Sequence, residues 1–266
     1  MKNKIESTII ITAENQERFI ERCIKSCLNQ SVKHIEIIII FTNLKNINVL
    51  KRRYLSKNIV FLNIPKKINK PTQDQLFKIK QGLLISRGKY IFLLDGDDTY
   101  KKNKVKEAIN SIKDKKVLFL DNYENNKNDI KQINKVHGFK KTNLYKTLIN
   151  AWPKGVCTSC IVLNRELLNE FFKKIKIKKF NYLAIDILLT IYCDIKYMVI
   201  KSTKTLTKKY YVKNSVDSSY VGFFNKYYWF RRSEQHDFYT YINKSTKLNL
   251  DFIVTKIINF LLKVLN

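Results

Sequence analysis

Four short apolar runs constrain this chain more than any other feature: "STIIIT" at 7–12, "IEIIIIF" at 35–41, "NIVFLNI" at 58–64 and "KYIFLLD" at 89–95. Each is too short for a buried helix, and in each the apolar residues are consecutive rather than alternating. That is the pattern of a strand covered on both faces. Helices must supply the covers. After the first run, Phe19, Ile20, Cys23, Ile24, Cys27 and Leu28 recur at helical spacing, with Glu17, Arg18, Glu21, Arg22 and Lys25 on the other side. Before the fourth, "QDQLFKIKQGLLIS" is amphipathic and ends near Gly88. Buried strands alternating with helices predict an α/β fold around a mostly parallel, doubly wound sheet, which binds ligands at the carboxyl ends of its strands.

Further along, the pattern predicts a Lys-rich helix at about 101–113, a strand over "KVLFLDNY" and a loop or hairpin over "ENNKNDIKQINK". A strand over "TSCIVLN", helices over "RELLNEFFKKI" and "YLAIDILLTIYCDI", and strands near "YMVIK" and "LTKKYYV" follow. The last helix, "LDFIVTKIINFLLKVLN", is apolar apart from a narrow stripe of Asp251, Thr255, Asn259 and Lys263. At 266 residues and 45% apolar composition the chain can bury one substantial core. The expected division is a main domain at 1–220 and an aromatic, basic, helical extension at 221–266, although 3 Pro and 6 Gly mark no linker.

A net charge of +29 ordinarily points to a polyanionic partner. Only 8 of the 51 basic residues are Arg, and the surplus of Lys runs with a surplus of Ile and Asn, which is the look of a composition bias. Arg forks are the usual readers of phosphates and bases, so nucleic acid is disfavoured. Five cysteines, an odd number, do not form a secreted disulfide framework and place the chain in a reducing cytoplasm. No run reaches the ~18 apolar residues of a spanning helix, so any contact with the inner face of a membrane would be peripheral. Aromatics interleaved with cations in "FFNKYYWFRR", together with the last helix, would suit an anionic membrane surface, or simply pack on the main domain or form a dimer seam.

The fourth run ends in "LDGDD", which sets Asp95, Asp97 and Asp98 at a strand end. Three carboxylates so close repel one another, and a hard cation removes the repulsion. Mg²⁺ or Mn²⁺ binds through one or two carboxylates and completes its shell with water and phosphate oxygens. The bland alternative is that Asp98 or Thr99 caps the next helix while Asp95 and Gly96 turn the chain. The motif is accompanied, however, by Ser26-Cys27-Leu28-Asn29-Gln30 after the first strand and by Gly88-Lys89-Tyr90-Ile91 leading into the acidic segment. In content and order these resemble the family-2 glycosyltransferases of the GT-A fold, well over the first 100 residues and more loosely to about 220.

The resemblance implies an αβα sandwich and an inverting, Mn²⁺- or Mg²⁺-dependent transfer from a nucleotide-sugar donor, UDP-sugar by default, to a glycan or lipid-linked acceptor. Asp97 would be the principal metal ligand with Asp98 adjacent, and Asp95 would contact ribose or metal. Thr12, Glu14, Asn43 and Lys78 would complete the donor side. Asp186, in "NYLAIDILLTIY", matches the position of the family's catalytic base, although Ile185 stands where Glu is common. A carboxylate in so apolar a run must be paired, capping or functional. Trp152 could stack on an acceptor sugar or equally anchor the core, and His236 could meet the acceptor side or, with Arg231 or Arg232, the diphosphate, or lie on a solvated helix face. The chain departs from the family after its second strand, where Phe41-Thr42-Asn43 replaces a base-reading Asp pair, and at Ala13-Glu14-Asn15. These departures admit a catalytically degenerate relative that binds anionic surfaces or nucleic acid. Cys23, Cys27, Cys157 and Cys160 have spacings that a zinc site could use, but the first two lie on the apolar helix face, where free Cys is ordinary core.

Overall fold

The computed structural model describes residues 5–45, 47–55, 57–66, 68–127, 130–134, 152–153, 156–210, 220, 222, 224–246 and 248–264. His137 and the end of the "LTKKYYV" run lie outside them. The four apolar runs form β1 (Ser7–Glu14), β2 (Ile35–Thr42), β3 (Ile59–Asn63) and β4 (Tyr90–Asp95). They pair in parallel in the order β3-β2-β1-β4, with Ile9 opposite Ile37 and Phe92. The remaining strands are β5 (Thr99–Tyr100), β6 (Val117–Lys127), β7 (Ile130–Asn134), β8 (Ile161–Asn164) and β9 (Met198–Tyr210). Beyond β4 the sheet continues β8-β6-β9-β5, with β8 antiparallel to both neighbours and β7 forming a hairpin with β6.

Consecutive apolar residues in β1 and β2 serve two cores. Ile10, Ile38 and Ile40 face α3 (Pro71–Ile85), α5 (Arg165–Lys174) and α6 (Ile185–Lys196). Ile9, Ile11, Ile37 and Ile39 face α1 (Glu17–Leu28), α2 (Ile47–Arg53) and α4 (Lys104–Ile112). Helix α3 approaches closely because Gly82 has no Cβ; one there would stand 2.6 Å from Ile40 Cδ1. Two further helices, α7 (Lys226–Asn243) and α8 (Leu250–Val264), complete the chain, and α7 adds Phe238 and Ile242 to the first core.

Two expectations change. The runs near "YMVIK" and "LTKKYYV" are one strand, β9, which pairs with β6 along its length across register shifts around Asn122. Backbone pairing to a central strand carries it through the polar residues between the two runs. In "TSCIVLN" only Ile161–Asn164 is strand, because Thr158–Cys160 forms a 3-10 turn.

Among the described residues one ion pair is fully buried: Lys104 Nζ meets Asp121 and also donates to the carbonyls of Ser159 and Cys160. Asp121 in turn accepts from Leu206 N at 3.1 Å and Thr207 Oγ1 at 2.9 Å, which ties β6, β9, α4 and the 3-10 turn together. Lys104→Met leaves Asp121 charged without its cation and is expected to cost about 3–5 kcal/mol in denaturant unfolding. Pairing it with Asp121→Leu should restore only part of the loss, since the apolar pair removes the lone charge but leaves Leu206 N without its acceptor.

Candidate active site

Strand β1 ends at Glu14 and β4 at Asp95, side by side at the carboxyl edge of the sheet, with Thr12 directly opposite Asp95. The chain then turns through Gly96, whose missing Cβ would stand 2.5 Å from Gln16 Oε1 and 2.9 Å from Ala13 Cβ. Only glycine lets the acidic turn lie so close to the β1–α1 connection. Strand β5 follows and pairs antiparallel with β9, which brings Lys209 and Tyr210 to the acidic residues. The Ser26 and Gln30 element has a structural part in this. Ser26 Oγ accepts from Tyr100 N, and Gln30 bridges the carbonyls of Ser26 and Lys101 while its Oε1 accepts from Val105 N. The start of α4 is thereby fastened to α1, and the acidic turn is held at both ends.

A cleft of about 450 Å³ opens at this edge. Of the residues expected from sequence it brings together Thr12, Glu14, Lys78, Asp95, Asp97, Asp98 and Asp186, and Lys66 and Lys209 join them. Three are not in its wall. Asn43 is exposed in a left-handed turn (φ 51°) after β2. Trp152 and His236 are both buried, their rings packed edge to face at 4.8 Å, and His236 Nε2 meets Asp251 at 2.9 Å. Neither side chain is in the cleft wall: Trp152 is placed as a core residue, one of the two readings its sequence allowed, and His236 is buried rather than on a solvated helix face.

The three acidic residues differ in how their oxygens are used. Asp98, 1% exposed, accepts from Ser159 Oγ at 2.6 Å and Tyr210 N at 3.1 Å, so both oxygens are committed. Asp95 accepts from Gln75 Nε2 at 2.8 Å, with Thr12 Oγ1 at 3.5 Å. Asp97 fronts the cleft, while Arg22 Nη2 holds its backbone carbonyl at 2.8 Å. Burial, reinforced by their mutual repulsion, pushes Asp95 well up and Asp98 up to about 7, against the pull of Lys209. Burial also raises Asp97, again opposed by Lys209 and by Arg22. The cluster thus has a standing demand for a proton or a cation.

Sequence reasoning missed Gln75, Ser159, Arg22 and Lys209. Ser159 Oγ accepts from Asp95 N at 3.1 Å and donates to Asp98, which cross-braces the turn. The Arg22 guanidinium lies 3.5 Å over the Tyr210 ring, although its spacing had placed it on the solvent face of α1. Ser159→Ala would strip both partners at once. It is expected to lower stability by about 1–3 kcal/mol and to weaken donor binding, read by thermal unfolding with and without ligand.

At the cleft's other end, Glu14 is gripped by Lys66 at 2.6 Å and Lys78 at 3.5 Å, and Lys78 also meets the buried Asp74 at 2.7 Å. Burial would raise the Glu14 carboxyl, but the two lysines bring it below its ordinary value. Asp186 stands in the first turn of α6, where the helix dipole favours an anion. Its loop is pinned from two sides: Glu234 of α7 accepts from Asn181 N and Tyr182 N, and Thr72 and Gln73 of α3 bond to Asn181.

A mostly parallel sheet thus carries an acidic turn at its carboxyl edge, faced across one cleft by a carboxylate at a helix start. The model of the family described as Glycosyl transferase family 2 matches residues 8–175, and the chain belongs to that family. A comparison with curated proteins gives no match. Among solved structures the chain is similar to S. aureus TarS 1–349 in complex with UDP-GlcNAc, at 13% identity and a TM-score of 0.57, covering 96% of this chain and 70% of that one. Against a longer S. aureus TarS chain, at 12% identity and 0.57, it covers 92% of itself and 41% of the other. It is also similar to the mannosyltransferase PcManGT from Pyrobaculum calidifontis in complex with GDP-Man and Mn²⁺, at 12% identity and 0.55, covering 98% and 70%. At these identities the likeness is one of fold.

Proposed function

We propose that this glycosyltransferase moves a sugar from a nucleoside-diphosphate donor, UDP-sugar first, to a hydroxyl of a cell-surface glycan or lipid-linked precursor, with inversion at the anomeric carbon. One observation supports this above the others: Asp186 opens onto the same cleft as the acidic turn. The donor would lie between them. Among the described residues no three His, Cys, Asp or Glu side chains converge to chelate a metal by themselves. The residues nevertheless fit a Mn²⁺ or Mg²⁺ ion, which needs one or two carboxylates when a diphosphate supplies further oxygens. Asp97 would hold it, with Asp98 shaping the turn through Ser159 and Tyr210. Such an ion supplies Lewis-acid stabilisation of the leaving diphosphate.

The chain's own groups account for the rest. Asp186 would take the proton of the acceptor hydroxyl as that oxygen attacks the anomeric carbon, while the diphosphate leaves from the opposite face. The Lys209 ammonium would offset charge on the leaving group. With Asn43 outside the cleft wall, the nucleoside end falls to Glu14, held in place by Lys66 and Lys78. All five cysteines are free and buried, which fits work in the reducing cytoplasm.

The test is thermal unfolding with UDP-, GDP-, CMP- and dTDP-sugars in Mn²⁺ and in EDTA. A ligand that binds only the folded state raises the midpoint. The proposal expects one nucleotide class to stabilise in Mn²⁺ alone; no shift with any donor would favour the degenerate, surface-binding relative.

A further inference from the structure

Helix α8 is turned with its polar side inward. Asp251 accepts from Arg232 Nε at 2.8 Å and meets His236, Lys256 bonds to Ser233 and Asp237, and Asn259 Nδ2 donates to Ser233 Oγ, so the polar stripe is turned to α7 from Asp251 to Asn259, while Lys263 at its end is exposed. Thr255, on the same stripe, is fully buried. The opposite side shows Ile253, Val254, Ile257, Phe260, Leu261 and Val264, between 39% and 66% exposed. At 100° per residue they fall within an arc of about 120° that contains no charged residue. Single exposed apolar residues need no explanation, but a continuous stripe marks an interaction surface. The Arg232–Asp251–His236 contacts keep that stripe facing outward in the isolated chain.

We propose that α8 docks this protein onto an anionic lipid surface, lying in the plane of the membrane with its apolar stripe in the lipid and its polar stripe on α7. Charge selects the occupant. A second copy would bring another +29 against the first, whereas an anionic bilayer carries the opposite sign. Length sets the orientation, since the 15 residues of α8 span about 22 Å and a bilayer core is about 30 Å thick. Among the described residues no helix is long and apolar enough to cross a membrane. The inference is read from residues outside the cleft and stands apart from the donor reading. If the acceptor is lipid-linked, it would bring the cleft to its substrate.

Ile257→Ser/Phe260→Ser tests it without altering charge, and because both residues are more than half exposed the melting midpoint should hold. Full-length protein would be sedimented with vesicles of phosphatidylcholine alone or mixed with phosphatidylglycerol, at low and high salt. The wild type should bind the mixed vesicles, less so at high salt, and the variant at least about tenfold more weakly, with metal-dependent donor binding unchanged. Leu261→Ser/Val264→Ser repeats the test on the same face. Equal vesicle binding by wild type and variants, or none by the wild type, overturns the proposal. So does a wild-type dimer in analytical ultracentrifugation that the variants dissolve, which would give the face to a second copy.

Discussion

Asp97→Ala is expected to abolish metal-dependent donor binding and to lower transfer by about three orders of magnitude, the scale of losing a charge-stabilising group in an active site. The neighbouring carboxylates cannot take over. Asp98 has both oxygens committed to Ser159 and Tyr210, and Asp95 is held by Gln75. Stability should move the other way. Burial and mutual repulsion already raise Asp95 and Asp98, so removing one charge relieves the fold in the absence of metal. The variant should melt at or above the wild-type midpoint in EDTA and gain nothing from Mn²⁺ with donor. A site that costs stability for function predicts this opposition; a merely structural Asp97 would lower the midpoint instead.

Asp186→Asn should leave donor binding intact while turnover falls by about two to four orders of magnitude. The change keeps shape and polarity. Asn can still accept from Ile187 N, as Asp186 does at 2.7 Å, so the first turn of α6 should persist. What disappears is the proton acceptor. Titrating donor into the variant, beside a single-turnover assay with acceptor, separates the two effects. Normal turnover would return Asp186 to the role of a helix-start carboxylate.

The left half of the sheet was legible because its signal is local. Consecutive apolar residues bounded by turns announce a strand, and β1 to β4 fall within two residues of those runs, although β3, at the sheet edge, is only partly covered. The acidic turn was legible for a related reason, since it follows directly from the end of β4. Residues that arrive from a distance were not. Ser159 and Gln75 meet Asp95 across 64 and 20 positions, and neither type stands out in a chain rich in polar side chains. Lys209 reaches the cleft because β9 is one continuous strand paired with β6 and β5, which the two separate apolar runs concealed.

Trp152 and His236 show the converse. Their chemistry suited an acceptor site, yet they bury one against the other, and His236 serves the Asp251 contact that orients α8. Residue type gives a capacity, and only packing decides whether it faces a ligand. The stripe on α8 was visible in the sequence, but its direction was not: a polar stripe of Asp251, Thr255 and Asn259 faces solvent on an ordinary surface helix. Here Arg232, Ser233 and His236 of α7 supply enough partners to turn it inward.

The most direct test of the central claim is calorimetric titration of the wild type with a nucleoside diphosphate and the matching monophosphate, each in Mn²⁺ and in EDTA. If Asp97 and the diphosphate share one ion in the cleft, the diphosphate binds in Mn²⁺, loses most of its affinity in EDTA, and exceeds the monophosphate only when the metal is present. Equal binding of the two nucleotides, or diphosphate binding that EDTA leaves unchanged, would contradict a metal-bridged donor site.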